Sequence, residues 1–290
     1  MRRALCPGSV GELVQGLRRG KEVLVSLTVD RLSEITVLFG EETPEVGSFW
    51  KTRKAISLAL REWGREDLQG KITFRRRSTL PVGKGFASST ADIAAALGSL
   101  AHLLGKQISE EFIARVALRI EPTDGTFFSP FCLFDHLRGE VLIRLPLPKS
   151  LGVVVVELPG EVETLGVDRE KLYRNWEDSR QDIEEAFVLL ERGLEERDLH
   201  LVARAATISS LIMQEVEREE VLTVLLENLK TLGALGVNRA HTGKALGVLF
   251  DLRVYGPRMM EERVRRCLQG YPVDIWSTRA IAGGVRVIRP

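Results

Sequence analysis

Apolar positions recur along this chain with two alternating periods, one matching strands and one matching helices. Glu22 to Val29 and Ser33 to Phe39 read as strands, the second placing Ile35, Val37 and Phe39 on one face. Lys51 to Trp63 has helical spacing. Lys71 to Arg77, with Ile72 and Phe74 on a shared face, reads as a further strand and runs into the loop Leu80-Pro81-Val82-Gly83-Lys84-Gly85-Phe86-Ala87-Ser88-Ser89-Thr90. From Ser89 the residues Ala91, Ile93, Ala94, Ala95, Ala96, Leu97, Leu100 and Leu104 predict a strong helix with a small-sided apolar face. Ser109-Glu110-Glu111 supplies an N-cap and an acidic first turn for another helix, through Phe112, Val116 and Ile120, which Pro122 stops. Strands are expected at Phe131 to Phe134 and Glu140 to Leu145.

Two prolines in Pro146-Leu147-Pro148-Lys149-Ser150 interrupt the pattern, so a domain boundary is expected there, giving residues 1–148 and 149–290. The second half opens on the apolar strand Leu151 to Leu158. Amphipathic helices follow around Lys171 to Arg192, Leu199 to Glu217 and Val221 to Leu232, then the segment Gly236 to Phe250. A helix at Pro257 to Leu268 and strands at Val273 to Thr278 and Val285 to Ile288 close the chain. No internal repeat or low-complexity linker interrupts this mixed α/β order.

Composition narrows the function. With 44% hydrophobic and 28% charged residues the chain is an ordinary globular one, and 290 residues suffice for two cores. Lys plus Arg (41) nearly equals Asp plus Glu (40), so no global field steers it onto nucleic acid or an anionic membrane. Its 11 Phe, 3 Tyr and 4 Trp are too sparse for the stacking platforms that hold single strands. Arg75-Arg76-Arg77, without other basic clusters beside it, reads as an exposed strand end. Cys6, Cys132 and Cys267 show no C-x-x-C spacing, which fits a reducing cytoplasm better than a disulfide framework or a zinc site. Pro7-Gly8 breaks the start before an export signal can form, and no apolar run approaches the ~20 residues of a membrane span. A small-molecule partner is expected.

The loop from Pro81 to Ala91 is the most informative segment. Its glycines and alanine let backbone approach a ligand, while Ser88, Ser89 and Thr90 bring hydroxyls to a helix N-terminus whose free N–H groups and dipole favour an anion. Lys84 adds a point charge. From these residues alone two readings stand equally: a phosphate cradle, or a glycine-rich turn ending in a serine N-cap. The loop is not a Walker motif, because its lysine precedes the second glycine.

Pro81, Gly85, Ser88, Ser89 and Ala91 resemble the phosphate loop P-x-x-x-G-L-G-S-S-A-A of the galactokinase, homoserine kinase, mevalonate kinase and phosphomevalonate kinase (GHMP) superfamily. Phe86 stands where the family has leucine, Ala87 where it has glycine, and Thr90 where it has alanine. Cys6-Pro7-Gly8-Ser9-Val10-Gly11-Glu12-Leu13 resembles its first motif, and Gly236 to Gly247, more loosely, its third. Narrower matches lie at Gly11 to Gly16 (Gly-Glu-Leu-x-Gln-Gly), Ala87 to Asp92, Glu121 to Asp124, Leu133 to His136 and Ala240 to Gly243. These resemble the L-threonine kinases of cobalamin biosynthesis, which make O-phospho-L-threonine.

The resemblance implies an α+β, two-domain fold: an N-terminal domain like ribosomal protein S5 and a C-terminal ferredoxin-like sandwich. It implies ATP and Mg2+ as cofactors and L-threonine as acceptor. Pro81, Gly83, Lys84, Gly85, Phe86, Ala87, Ser88, Ser89 and Thr90 would cradle phosphate, Ser89 and Glu121 would hold the metal, and Asp124 would take the hydroxyl proton. Glu121 and Asp124 are only three residues apart, closer than in many relatives. Glu12, Thr123, His241, Thr242 and Gly243 would line the substrate side. An arginine is expected on the acceptor carboxylate, with Arg239, Arg279 and Arg286 as candidates, and Glu12 or Asp92 on the ammonium group. Asp135 and His136 form a second polar pair in an otherwise apolar strand, which solvent-exposed strand-edge residues explain as easily as a functional pair does. Homoserine kinase, a diphosphomevalonate-type decarboxylase and a non-catalytic metabolite-binding protein are the other readings of the same motifs.

Overall fold

The computed structural model describes residues 3–40, 49–160, 168–241 and 243–288. Its spine is a long antiparallel hairpin, β1 (Arg3–Arg18) and β2 (Lys21–Phe39), closed by Arg19 and Gly20. Both turn residues have positive φ, 52° and 73°, the backbone that matches strand twist in a two-residue hairpin. The two expected strands in 22–39 are thus one. Pro7-Gly8 does not turn the chain out of the sheet: register shifts between Pro7 and Ser9, Ser9 and Glu12, and Glu12 and Val14 take up the irregularity. Such bulges bend a strand and re-aim its side chains.

Helix α1 (Trp50–Glu62) and β3 (Ile72–Ser78) lead to α2 (Ser88–Leu103), then α3 (Glu110–Leu118), β4 (Phe131–Asp135), β5 (Glu140–Leu145) and β6 (Leu151–Glu157). Every residue of α2 from Thr90 to Ala101 is buried, as expected for a helix without a polar face. Its small side chains let it lie against β1 and β2. Next come α4 (Arg169–Asp178), α5 (Arg180–Glu196), α6 (Leu199–Val216) and α7 (Glu220–Leu232). Strands β7 (Gly236–Arg239) and β8 (Ala245–Asp251), helix α8 (Pro257–Cys267), and strands β9 (Asp274–Arg279) and β10 (Arg286–Ile288) complete the chain. The expected helical stretch around Lys171 to Arg192 is two helices that meet at Ser179.

The ten strands among the described residues belong to one sheet, ordered β5-β4-β2-β1-β7-β8-β6-β9, with β3 also on β2 and β10 on β1. One core runs from β1, β2 and α2 into α4, α5 and α6; a second, built on Val154, Val156, Leu222, Leu225, Phe250 and Met260, belongs to the second half. The halves join where β1 meets β7, at Glu12 opposite Arg239. No described helix is long and apolar enough to cross a membrane.

Candidate active site

Three segments distant in sequence, one of them inside β1, meet backbone to backbone at this junction. A Cβ on Gly85 would stand 2.5 Å from the Cα of Gly243, and one on Gly243 would overlap the Cα of Gly85. Lys244 N–H donates to the Lys84 carbonyl at 3.0 Å and Ser9 N–H to the Phe86 carbonyl at 3.1 Å. A Cβ on Gly8 would lie 2.5 Å from that same Phe86 oxygen, and Gly11, at φ +58°, abuts the Arg239 carbonyl. Thr242 lies outside the described residues.

The loop before α2 turns through left-handed residues: Gly83 (φ 71°), Gly85 (φ 83°) and Ala87 (φ 52°, ψ 29°). Ala87 occupies the cap position without offering a side-chain acceptor, so Ser88, Ser89 and Thr90 open α2 with their N–H groups free for an anion. Phe86 is buried against Trp276 of β9, with ring centroids 5.7 Å apart, which anchors the loop from behind. Lys84 Nζ donates to the Leu158 carbonyl at 3.1 Å. Pro81 is partly buried at the loop's entry.

The loop after α3 closes on the start of α2. Ser89 Oγ donates to Glu121 Oε1 at 2.5 Å, and Lys51 Nζ, from the first turn of α1, pairs with Glu121 Oε2 at 2.5 Å. Thr90 and Thr123 hydroxyls bond at 2.9 Å, and Asp124 N–H donates to Thr90 Oγ1 at 3.4 Å. Burial raises the Asp124 carboxyl to about 6, against a lowering influence from His136 and with Glu121 adding to the rise. Burial, and then Asp124, push Glu12 well above the carboxylate range, although the His241 backbone N–H and Arg239 oppose this. Two carboxylates, one from a β1 bulge and one from the α3–β4 loop, therefore lie close enough to raise one another's proton affinity, with Glu121 of the Ser89–Glu121 pair acting on Asp124 as well.

Next to Glu12 lies an aromatic cluster around His241. His241 Nδ1 meets Gln15 Oε1 at 2.5 Å, and its ring lies 5.1 Å edge-on from His136 and 5.7 Å from Trp176. Burial, then His136, Arg169 and Arg239, hold His241 well below the usual imidazole range, so it is neutral. Asp135 and His136 are 0% and 5% exposed, because β4 is flanked by both β2 and β5, which excludes a solvent-exposed edge. Asp135 caps its own turn through Leu137 and Arg138, while His136 faces Glu22 at 3.6 Å.

Other expected partners are committed elsewhere. Asp92 accepts from Ser33 and from Arg76, which turns inward from the basic triplet. Arg239 is tied to Gln214 and Glu217, Arg279 to Asp30, and Arg286 to the Ala282 carbonyl. Sequence reasoning passed over Lys51, Trp176 and Arg169. Gln15 and His136 did sit inside quoted motifs.

Residues 51–134 match the family model described as the GHMP kinases N terminal domain. The chain is 32% identical over 249 residues to an L-threonine kinase of Salmonella typhimurium, covering 86% of this chain and 82% of that one. It is 31% identical to one of Citrobacter freundii, covering 86% of each. The chain belongs to the GHMP kinase family. Its two-domain α+β fold is that of a homoserine kinase from Cytophaga hutchinsonii, at a TM-score of 0.73 over 99% of this chain and 97% of that one, with 16% identity. A mevalonate diphosphate decarboxylase from Staphylococcus aureus reaches the same score at 12% identity over 99% and 98% of the two chains, so the fold alone does not separate these activities. In this GHMP kinase the backbone contacts among Gly8, Gly85 and Gly243 and their neighbours bring the three motifs together.

Proposed function

We propose that this kinase transfers the γ-phosphoryl group of ATP to the hydroxyl of L-threonine, giving O-phospho-L-threonine and ADP for the aminopropanol linker of adenosylcobalamin. The observation that carries an amino-acid acceptor is a pair of carboxylates, buried Glu12 and half-buried Asp124, beside the free N-terminus of α2. One suits a hydroxyl proton and the other a cationic group a short distance away, a combination that threonine has and mevalonate lacks. The choice of threonine rests on the similarity to L-threonine kinases over 86% of the chain.

On this reading the amides of Ser88, Ser89 and Thr90 cradle the phosphates of ATP between residues 1–148 and 149–290. The threonine oxygen attacks the γ-phosphorus, the bond to the β,γ-bridging oxygen breaks, ADP departs, and Asp124 accepts the hydroxyl proton. Ser89 and Glu121 fit a magnesium ion: two oxygen ligands already converge, and Glu121 already holds a cation, the Lys51 ammonium. Such an ion would take few protein ligands and complete its shell with phosphate oxygens and water. When bound, magnesium neutralises charge building on the phosphates.

The test is an assay of ATP and magnesium with L-threonine, L-serine, homoserine and mevalonate, scored for ADP and phosphorylated product. L-threonine should give the highest kcat/KM. L-serine, short of one methyl, should trail by about 1–3 kcal/mol in transition-state binding. Homoserine, its hydroxyl one carbon further out, should lose on the order of 10²-fold through misplacement. Homoserine in first place would overturn the threonine reading and leave the kinase standing; carbon dioxide release from a diphosphorylated mevalonate would make it a decarboxylase.

A further inference from the structure

Helix α1 opens against the usual rule for helices. Its first turn holds no acidic residue and its cap offers no side-chain acceptor, while Lys51, Arg53 and Lys54 stand at the positive end of the helix dipole, where cations are disfavoured. Lys51 is compensated from another element: its Nζ pairs with Glu121 Oε2 at 2.5 Å. The other oxygen of that carboxylate, Oε1, accepts from Ser89 Oγ at 2.5 Å, so both Glu121 oxygens are engaged by this chain's own groups. The two partners differ in freedom. Ser89 is fixed in the first turn of α2, whereas the Lys51 side chain is 33% exposed, against 7% for Glu121, and ends a flexible four-carbon stem. Lys84, the cation expected on the phosphates, donates instead to the Leu158 carbonyl at 3.1 Å. Lys51 is therefore the ammonium group tied through Glu121 and Ser89 to the free amides of α2.

A divalent ion bound to Glu121 at about 2.0–2.1 Å would stand within about 5 Å of the Lys51 ammonium. Like charges that close repel strongly in a partly buried setting, so Lys51 and the ion compete for one carboxylate. Phosphate oxygens seated on the α2 amides would offer the ammonium a new partner a short swing away. We propose that Lys51 holds Glu121 until the phosphates of a nucleotide take over its ammonium, so that the divalent ion enters the site with the nucleotide and not ahead of it. The inference rests on the reading of Ser89 and Glu121 as metal ligands and extends it from where the ion binds to the order in which it binds.

Two binding measurements on the full chain, neither of which involves turnover, test this. Electron paramagnetic resonance reads Mn2+ binding, with and without a non-hydrolysable ATP analogue, and calorimetry reads binding of the analogue at saturating magnesium. Lys51→Gln removes the charge but keeps an N–H donor for Glu121, and Lys51→Arg keeps the charge. Lys51→Gln should bind Mn2+ alone about ten-fold more tightly than wild type and the analogue with magnesium about ten-fold more weakly, the exchange of one charge-assisted contact. Opposite shifts in one variant do not come from unfolding. Lys51→Arg should stay near wild type for Mn2+ alone, and adding Glu121→Gln to Lys51→Gln should cancel the gain. Unaltered or weaker binding of Mn2+ alone in Lys51→Gln, or wild-type binding of the analogue, overturns the exchange; the metal site still stands if Glu121→Gln by itself weakens Mn2+ binding in the presence of the analogue. If Glu121→Gln leaves that binding unchanged, the metal site falls and the exchange falls with it.

Discussion

Asp124 carries opposed demands. A carboxyl raised to about 6 keeps its proton in the folded chain at pH values where the unfolded chain, near 3.8, has lost it. Its contribution to stability therefore falls as pH rises from about 4 through 6, and at pH 7 the charged group weakens the fold. Asp124→Asn should stabilise the protein at pH 7.5 by up to about 3 kcal/mol, a gain that shrinks as pH falls toward 4. The same substitution should lower kcat by about 10²- to 10⁴-fold, because the amide cannot accept the proton. Urea melts at two pH values and steady-state kinetics check both halves; kcat within a few-fold of wild type would reduce Asp124 to a positioning role. Wild-type kcat/KM should fall below pH about 6 as the base is protonated. At the proposed metal site, Ser89→Ala and Glu121→Gln each remove one oxygen from the converging pair. Each should raise the magnesium concentration for half-maximal turnover by at least about ten-fold, since a charge-assisted contact is worth roughly 1.5–3 kcal/mol. A magnesium titration of ADP release with unaltered midpoints would remove both residues from the site.

Among elements, the loop before α2 shows how much local sequence can specify. Small residues ahead of an apolar, alanine-rich run made both the loop and the helix readable, because glycine conformations and helix propensity are local properties. The close approach of Gly85 to Gly243 was not readable, since it depends on β7 and β8 pairing with distant strands. Lys51, Trp176 and Arg169 were missed for the same reason: each lies on an unremarkable amphipathic helix and acquires meaning only from what tertiary packing sets opposite it. The burial of Asp135 and His136 stayed undecided in the sequence because alternation along β4 does not reveal that β2 and β5 flank that strand on both sides. The loop geometry separates two small substitutions. Gly85→Ala combines a positive φ with a Cβ 2.5 Å from a backbone carbon, so it should destabilise by about 2–4 kcal/mol through strain and overpacking together. Ala87→Gly relieves a left-handed alanine and should be neutral or stabilising by up to about 1 kcal/mol, after the entropy glycine adds to the unfolded chain. Denaturant midpoints of the two variants, moving in opposite directions, are the check.

At the scale of the whole molecule, the proline-marked division near residue 148 falls between β5 and β6, yet the first half is not covered by its own residues. β1 is buried along nearly its whole length, against α2 and against α5 and α6 of the second half. Gly16 approaches the Ile183 side chain so closely that a Cβ would stand 2.9 Å from it. Gln15 N–H donates to Ser209 Oγ at 3.1 Å, Asn238 Nδ2 to the Val10 carbonyl at 2.5 Å, and Arg18 pairs with Glu184 and Glu191. Strand β10 returns from the far end of the sequence to pair with β1, and a Cβ on Gly98 of α2 would lie 2.5 Å from Val285. Cutting the chain after residue 148 would uncover Leu13, Val14, Leu17 and their neighbours. Each large apolar side chain uncovered loses about 1.5–3 kcal/mol, so a handful offset the whole stability of an ordinary domain, about 5–15 kcal/mol. Residues 1–148 expressed alone should therefore show no cooperative thermal transition by circular dichroism and no dispersed amide spectrum, whereas the full chain should unfold with both halves of the β1 sheet together. A folded 1–148 fragment with a sharp melt would show that α2 alone suffices as a cover and that α5 and α6 are not needed for the core of the first half.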